Sequence, residues 1–136
     1  ISDHYHGLNV LFVKKINNTM HYLCQTILEP GYNIPKFTNT IMQKNCNNKD
    51  FLKTFLKKNK IRIKKKLIEV INSDEGGRFN NNKSKNVTYE IEELTELERQ
   101  NFIWISYNQM LELLNKKLLT IELRNLFGIL NIKKLK

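Results

Sequence analysis

Residues 73–86, SDEGGRFNNNKSKN, gather two carboxylates, a glycine pair and a guanidinium in a chain with only five glycines. Gly76 and Gly77 supply the positive φ of a tight turn, and Asp74 can bond its own backbone, so a hairpin turn explains part of the stretch. It leaves Arg78 unexplained. The planar guanidinium could pair with Asp74 or Glu75, or could hold a diphosphate in its fork. A loop carrying such a set on a rigid scaffold is a frequent form of functional site.

Three other groupings could do chemistry, and each has a plainer explanation. His4 and His6 would face the same way on a strand, as two ligands of one metal do, but no third ligand stands near them. The carboxylates Glu90, Glu92, Glu93, Glu96 and Glu98 offer the oxygens a hard cation wants. A pyrophosphohydrolase motif, however, needs an upstream Gly and an Arg-Glu pair leading a Glu-Glu pair, whereas here Arg99 comes last and precedes Gln100. The run therefore reads as a solvated strand exit or helix entry. Lys57, Lys58, Lys60, Arg62, Lys64, Lys65 and Lys66 could bind phosphate with Phe51 and Phe55 stacking on bases. Those two rings fall on one apolar helical stripe, so core packing above a solvated lysine rim accounts for them.

These groups need elements to position them. At 136 residues and 40% hydrophobic content the chain can bury one modest core. The net charge of +10 would ordinarily suggest nucleic acid, but only four of 23 basic residues are Arg and no Ala occurs, a skew that points to coding bias. We expect no nucleic-acid partner. Cys24 and Cys46 form no Cys-x-x-Cys, which suits a reduced, cytoplasmic protein, and no apolar run is long enough to span a bilayer.

Two-residue alternation over residues 8–14 and 21–28, around Ile16-Asn17-Asn18-Thr19, predicts a β-hairpin with Leu8, Val10 and Phe12 on one face. Glu29-Pro30-Gly31 stops the second strand. Residues 32–47 are expected to be irregular, with one short strand at 40–42. Phe51, Leu52, Phe55 and Leu56 predict a short helix capped by Asn48 or Asp50, and residues 61–71 a lysine-rich edge strand. Val87, Tyr89 and Ile91 mark another strand, and residues 102–105 a short apolar element. Ser106 and Gln109 form a capping box before one helix, and Leu123, Leu126, Phe127 and Leu130 stripe a last one. The expected class is α+β.

Four blocks in order resemble the sugar nucleotide 2,3-dehydratase family. HYLCQTILEPG matches through Gln25, Glu29, Pro30 and Gly31; SDEGGRF and its return strand through Ser73, Asp74, Gly76, Arg78, Phe79, Asn86 and Glu90. FIWISYNQMLELL matches through Phe102, Trp104 and Gln109, and TIELRNLFGIL through Glu122 and Arg124. Departures fall at Asn39, where the family has Pro, at Met42 for Gln, Asn48 for Tyr, Ser84 for Asn and Thr120 for Asn.

The resemblance implies a Nudix-like mixed sheet with flanking helices, incomplete at the N-terminus. Residues 1–136 would be a single partial domain, the later part of one of two tandem repeats, in a homodimer. It further implies a nucleotide-sugar substrate, no cofactor, no metal and no membrane partner. The reaction would be an elimination from an NDP-4-keto-6-deoxyhexose. A base takes the C3 proton made acidic by the C4 ketone, an enolate forms, the C2 hydroxyl leaves, and the enol product can tautomerise to a 3,4-diketone. Glu29 and Glu75 are then candidate acid or base, Arg78 and Arg124 anion clamps, and Gln25 and Asn86 donors to hydroxyl or enolate. Asp74 joins them as a substrate contact, and Trp104 could pack on the sugar or base, though core packing serves it as well. The alternative is a non-catalytic, degenerate repeat that shapes the dimer.

Overall fold

The computed structural model describes residues 7–28, 30, 31, 33–44, 51–73, 83–93 and 102–134. Strands β1 (Gly7–Ile16) and β2 (Thr19–Ile27) form the expected hairpin. Its two-residue turn puts Asn17 at φ 54° and Asn18 at φ 67°, the doubly left-handed geometry that matches strand twist and that Asn tolerates.

Beyond the pair Phe12↔Leu23 the two strands part, and a third segment threads the gap. Its first piece, β3 (Lys36–Thr38), pairs with β2, and its second, β4 (Ile41–Lys44), pairs with β1. Asn39 and Thr40 cross between them, both fully buried. The Phe12 N–H donates to the Thr40 hydroxyl at 3.0 Å, and that hydroxyl donates to the Leu23 carbonyl, so one side chain fills the rung the fork opens. Sequence alone suggested an irregular segment with one short strand. Two strands form because side chains satisfy the backbone at the crossing, an arrangement with no periodic signature.

After the helix α1 (Phe51–Lys58), β5 (Arg62–Ser73) runs antiparallel to β6 (Lys83–Glu93), and β6 lies parallel to β1, Gly7↔Ser84 through Val13↔Glu90. β5 is an edge strand, as its lysines suggested; register shifts near Ile63 and Lys66 and charges on its exposed side deter stray pairing. β7 (Phe102–Ser106) pairs with the outer edge of β2. Among the described residues seven strands make one mixed sheet. Helices α2 (Tyr107–Asn115) and α3 (Ile121–Lys134) complete the α+β architecture.

Each face of the sheet is covered. Leu8, Val10, Phe12, Leu23, Val87 and Ile91 meet the Phe51, Leu52, Phe55 and Leu56 stripe of α1, while Leu11, Val13, Tyr22 and Cys24 meet Met110, Leu123, Leu126 and Phe127 of α2 and α3. Tyr22 and Phe127 pack edge to face with centroids 5.2 Å apart, and each such buried side chain contributes ~1.5–3 kcal/mol.

The helices are tied at their ends as the sequence indicated. Ser106 and Gln109 form both halves of the capping box on α2. Thr120 caps α3, its hydroxyl accepting from the Leu123 N–H at 3.3 Å and donating to Thr38 at 3.0 Å. Thr serves there as Asn would, which explains how that departure is accommodated. Hydrogen bonds from Phe37 N to Leu118 O and from Thr120 N to Phe37 O fasten the α2–α3 turn to β3.

One expectation fails on the far end of β6. Glu90 belongs to no solvated exit: it is 6% exposed. Alternation puts Asn86, Thr88 and Glu90 on the face that α3 covers, so the polar side of this strand is buried too. Glu96 and Glu98 lie outside the described residues, as do His4 and His6. Among the described residues no helix is long and apolar enough to cross a membrane, and no three His, Cys, Asp or Glu side chains converge.

Candidate functional site

The end of the sheet where β1 begins collects most of the residues with chemical promise. Gly7↔Ser84, Ser73↔Lys83 and Ile27↔Lys36 all lie there, beside the fork. So does a cleft of about 480 Å³ lined by Lys36, Leu114, Lys117, Leu119, Ile121 and Arg124. Three elements supply its cations. Lys36 opens β3, Lys117 sits in the α2–α3 turn, and Arg124 is on the first turn of α3. Among the described residues no carboxylate lines the cleft, and neither Arg124 nor Lys117 pairs with an acid. Such a wall suits a diphosphate, with Leu114, Leu119 and Ile121 offering apolar ground for an attached ring.

Lys117 is held in an unusual way. It follows α2 at φ 60°, with its N–H on the Leu114 carbonyl at 3.0 Å and the Leu118 N–H on the Leu113 carbonyl at 2.9 Å. That is the Schellman exit in which glycine is strongly preferred. A lysine kept in a left-handed conformation at a cationic cleft is strain coinciding with charge.

The sequence-predicted residues divide as follows. Arg124 lines the cleft. Ile27, two residues before Glu29, is paired with the cleft's Lys36. Gln25 is half-buried at the fork, where its amide donates to the carbonyls of Asn39 at 3.3 Å and Thr40 at 3.2 Å. Asn86 is buried one strand along; its carbonyl oxygen accepts from Asn9 at 2.9 Å, cross-linking the parallel pair β1 and β6. Trp104 packs beside Leu23 against the α1-side core. Glu29, Asp74, Glu75 and Arg78 lie outside the described residues; the strands flanking residues 74–82 are closed by Ser73↔Lys83.

Sequence reasoning missed Lys36 and Lys117. The register of β3 with β2 and the helix exit bring them to Arg124 from 88 and seven residues away. A lysine where glycine would end a helix was a readable hint for Lys117. Burial of two other groups is chemically silent: Tyr22 and Cys24 are pushed well above their ordinary pKa by desolvation, so both stay protonated.

Comparisons with known proteins agree with this architecture. In the solved structures, the Nudix domain of Shewanella oneidensis NrtR, complexed with ADP ribose, is similar over all of this chain and 91% of its own, with a TM-score of 0.51 and 13% identity. The search of curated proteins found no match. The family model for NDP-hexose 2,3-dehydratase matches residues 1–130. With nearly its whole length covered, and on a Nudix-like fold, the chain belongs to the NDP-hexose 2,3-dehydratase family.

Proposed function

We propose that this chain serves the 2,3-dehydration of an NDP-4-keto-6-deoxyhexose, dTDP-linked, as a carbon–oxygen lyase of deoxysugar biosynthesis. The observation that carries the reading is the cleft of Lys36, Lys117 and Arg124, whose described lining brings three cations from three elements to one wall. The diphosphate binds there, Arg124 presenting its planar fork to two phosphate oxygens while the lysines act as point charges. The nucleoside ring rests on Leu119 and Ile121.

With the diphosphate fixed, the sugar needs a base for the C3 proton, donors for the enolate oxygen and a proton for the departing C2 oxygen. Glu29 takes the proton in this reading, and Glu75 supplies one. Gln25 and Asn86 hold the fork and the β1–β6 seam in register, while Asp74 and Arg78 contact the substrate. The enzyme works in the cytoplasm as a homodimer, this chain forming the later part of one of two tandem repeats.

A second reading has one observation in its favour. The amide of Asn39, where the family pattern has Pro, is fully buried with neither its nitrogen nor its oxygen bonded, as a decaying, structural repeat would permit. Turnover by the intact parent protein decides. Under the catalytic reading Glu29→Ala and Arg78→Ala each lower kcat/KM by ~10²-fold or more while the melting temperature holds. Unchanged turnover in both would make this repeat the structural one.

A further inference from the structure

The opposite end of the sheet holds a second cavity, of about 360 Å³, bordered by Lys15, Tyr22, Lys65, Leu67, Glu90 and Leu130, with Met20 and Lys66 completing its wall. Glu90 lies six residues along β6 from Ser84, roughly 20 Å from the diphosphate end at the rise of a strand. The two cavities share no residue.

Glu90 is the unusual member. Its side chain is 8% exposed, yet the nearest cation, Lys64, is itself largely in water and stands 3.9 Å off. No described group donates a hydrogen bond to its carboxylate. Standing on the cavity wall, its oxygens offer acceptors to donors that enter there. The cations around it are unevenly committed: Lys66 is held by Glu69 at 2.9 Å, whereas Lys15 and Lys65 meet no acid among the described residues.

We propose that this cavity binds a polyhydroxylated anion, the chemistry of a sugar phosphate, apart from the dehydration site. The sugar hydroxyls donate to Glu90, the phosphate pairs with Lys15 and Lys65, and one face of the ring lies on Leu67 and Leu130. Each half of the ligand answers one half of the wall.

Titration of the full chain with glucose 1-phosphate, followed by amide NMR shifts, tests this directly. Saturable shifts at Lys15 and residues 89–91 are expected, with glucose and inorganic phosphate each binding at least about tenfold more weakly, since charge-assisted bonds are divided between the halves. Glu90→Gln and Lys65→Gln, the latter on an exposed edge where folding is safe, should each weaken binding by about tenfold or more. Neither variant should move the shifts that pyrophosphate causes near Arg124. Absence of saturable local shifts overturns the proposal, as do equal affinity for phosphate alone or variants that bind like the wild type.

Discussion

Thr40→Val removes one oxygen and leaves the shape almost unchanged, so its cost isolates the hydroxyl that spans the fork. In the wild type that hydroxyl accepts from the Phe12 N–H at 3.0 Å and donates to the Leu23 carbonyl. Thr40 is 1% exposed, Leu23 1% and Phe12 0%, so water cannot replace it without opening the core. Each stranded backbone group costs ~1–3 kcal/mol, and partial relaxation brings the pair to ~2–5 kcal/mol. A domain of this size holds ~5–15 kcal/mol in all, so the variant should lose a large share of its stability. Urea unfolding monitored through Trp104 measures the midpoint and slope. Thr40→Ser, which keeps the hydroxyl and deletes one methyl, is the control and should lose ~1 kcal/mol. A Thr40→Val loss under ~0.5 kcal/mol, or one equal to that of Thr40→Ser, would refute the role given to the hydroxyl.

Lys117→Gly should raise stability by ~0.5–1 kcal/mol in thermal unfolding, because relief at φ 60° exceeds the added freedom of the unfolded glycine, while weakening dTDP binding. Glu69 is held below its ordinary pKa chiefly by the hydrogen bond from Lys66, with Lys85 helping, and Lys66 is raised by the same bond. The Glu69 contribution is therefore present above about pH 4.5 and fades as pH falls through the lowered value; that of Lys66 is present below its ordinary value and fades as pH rises through the raised one. Glu69→Gln should flatten the acid limb of a stability–pH curve by only ~0.2–1 kcal/mol, the size of an exposed pair. The Cys24 thiol, 0% exposed and raised by burial, should resist iodoacetamide at pH 8 in the folded chain and react at the unfolding rate, read by peptide mass mapping.

What the sequence disclosed was local. Asn17-Asn18, the Ser106/Gln109 box and the Leu123-Leu126-Phe127-Leu130 stripe each fold by rules reaching four residues at most, and each is present. The fork has no local signature because Gln25 and Thr40 satisfy backbone groups 14 to 28 positions away. Glu90 was misread for a related reason: its burial comes from β1, paired in parallel, and from α3, and nothing near it in sequence signals either. The four motif blocks located the family, and one of them named Arg124, which lines the cleft. They could not show that Lys36 and Lys117 line the same cleft as Arg124, since that depends on one strand register and one helix exit.

In the proposed function Arg124, Lys36 and Lys117 together hold the diphosphate of a nucleotide sugar. The most direct measurement is calorimetric titration of dTDP into the full chain and its Arg124→Gln variant. Losing a bidentate, charge-assisted contact of ~1.5–3 kcal/mol should raise Kd about 10- to 150-fold with the melting temperature unchanged. A Kd within about twofold of the wild type, where no phosphate contact has been lost, would contradict the account.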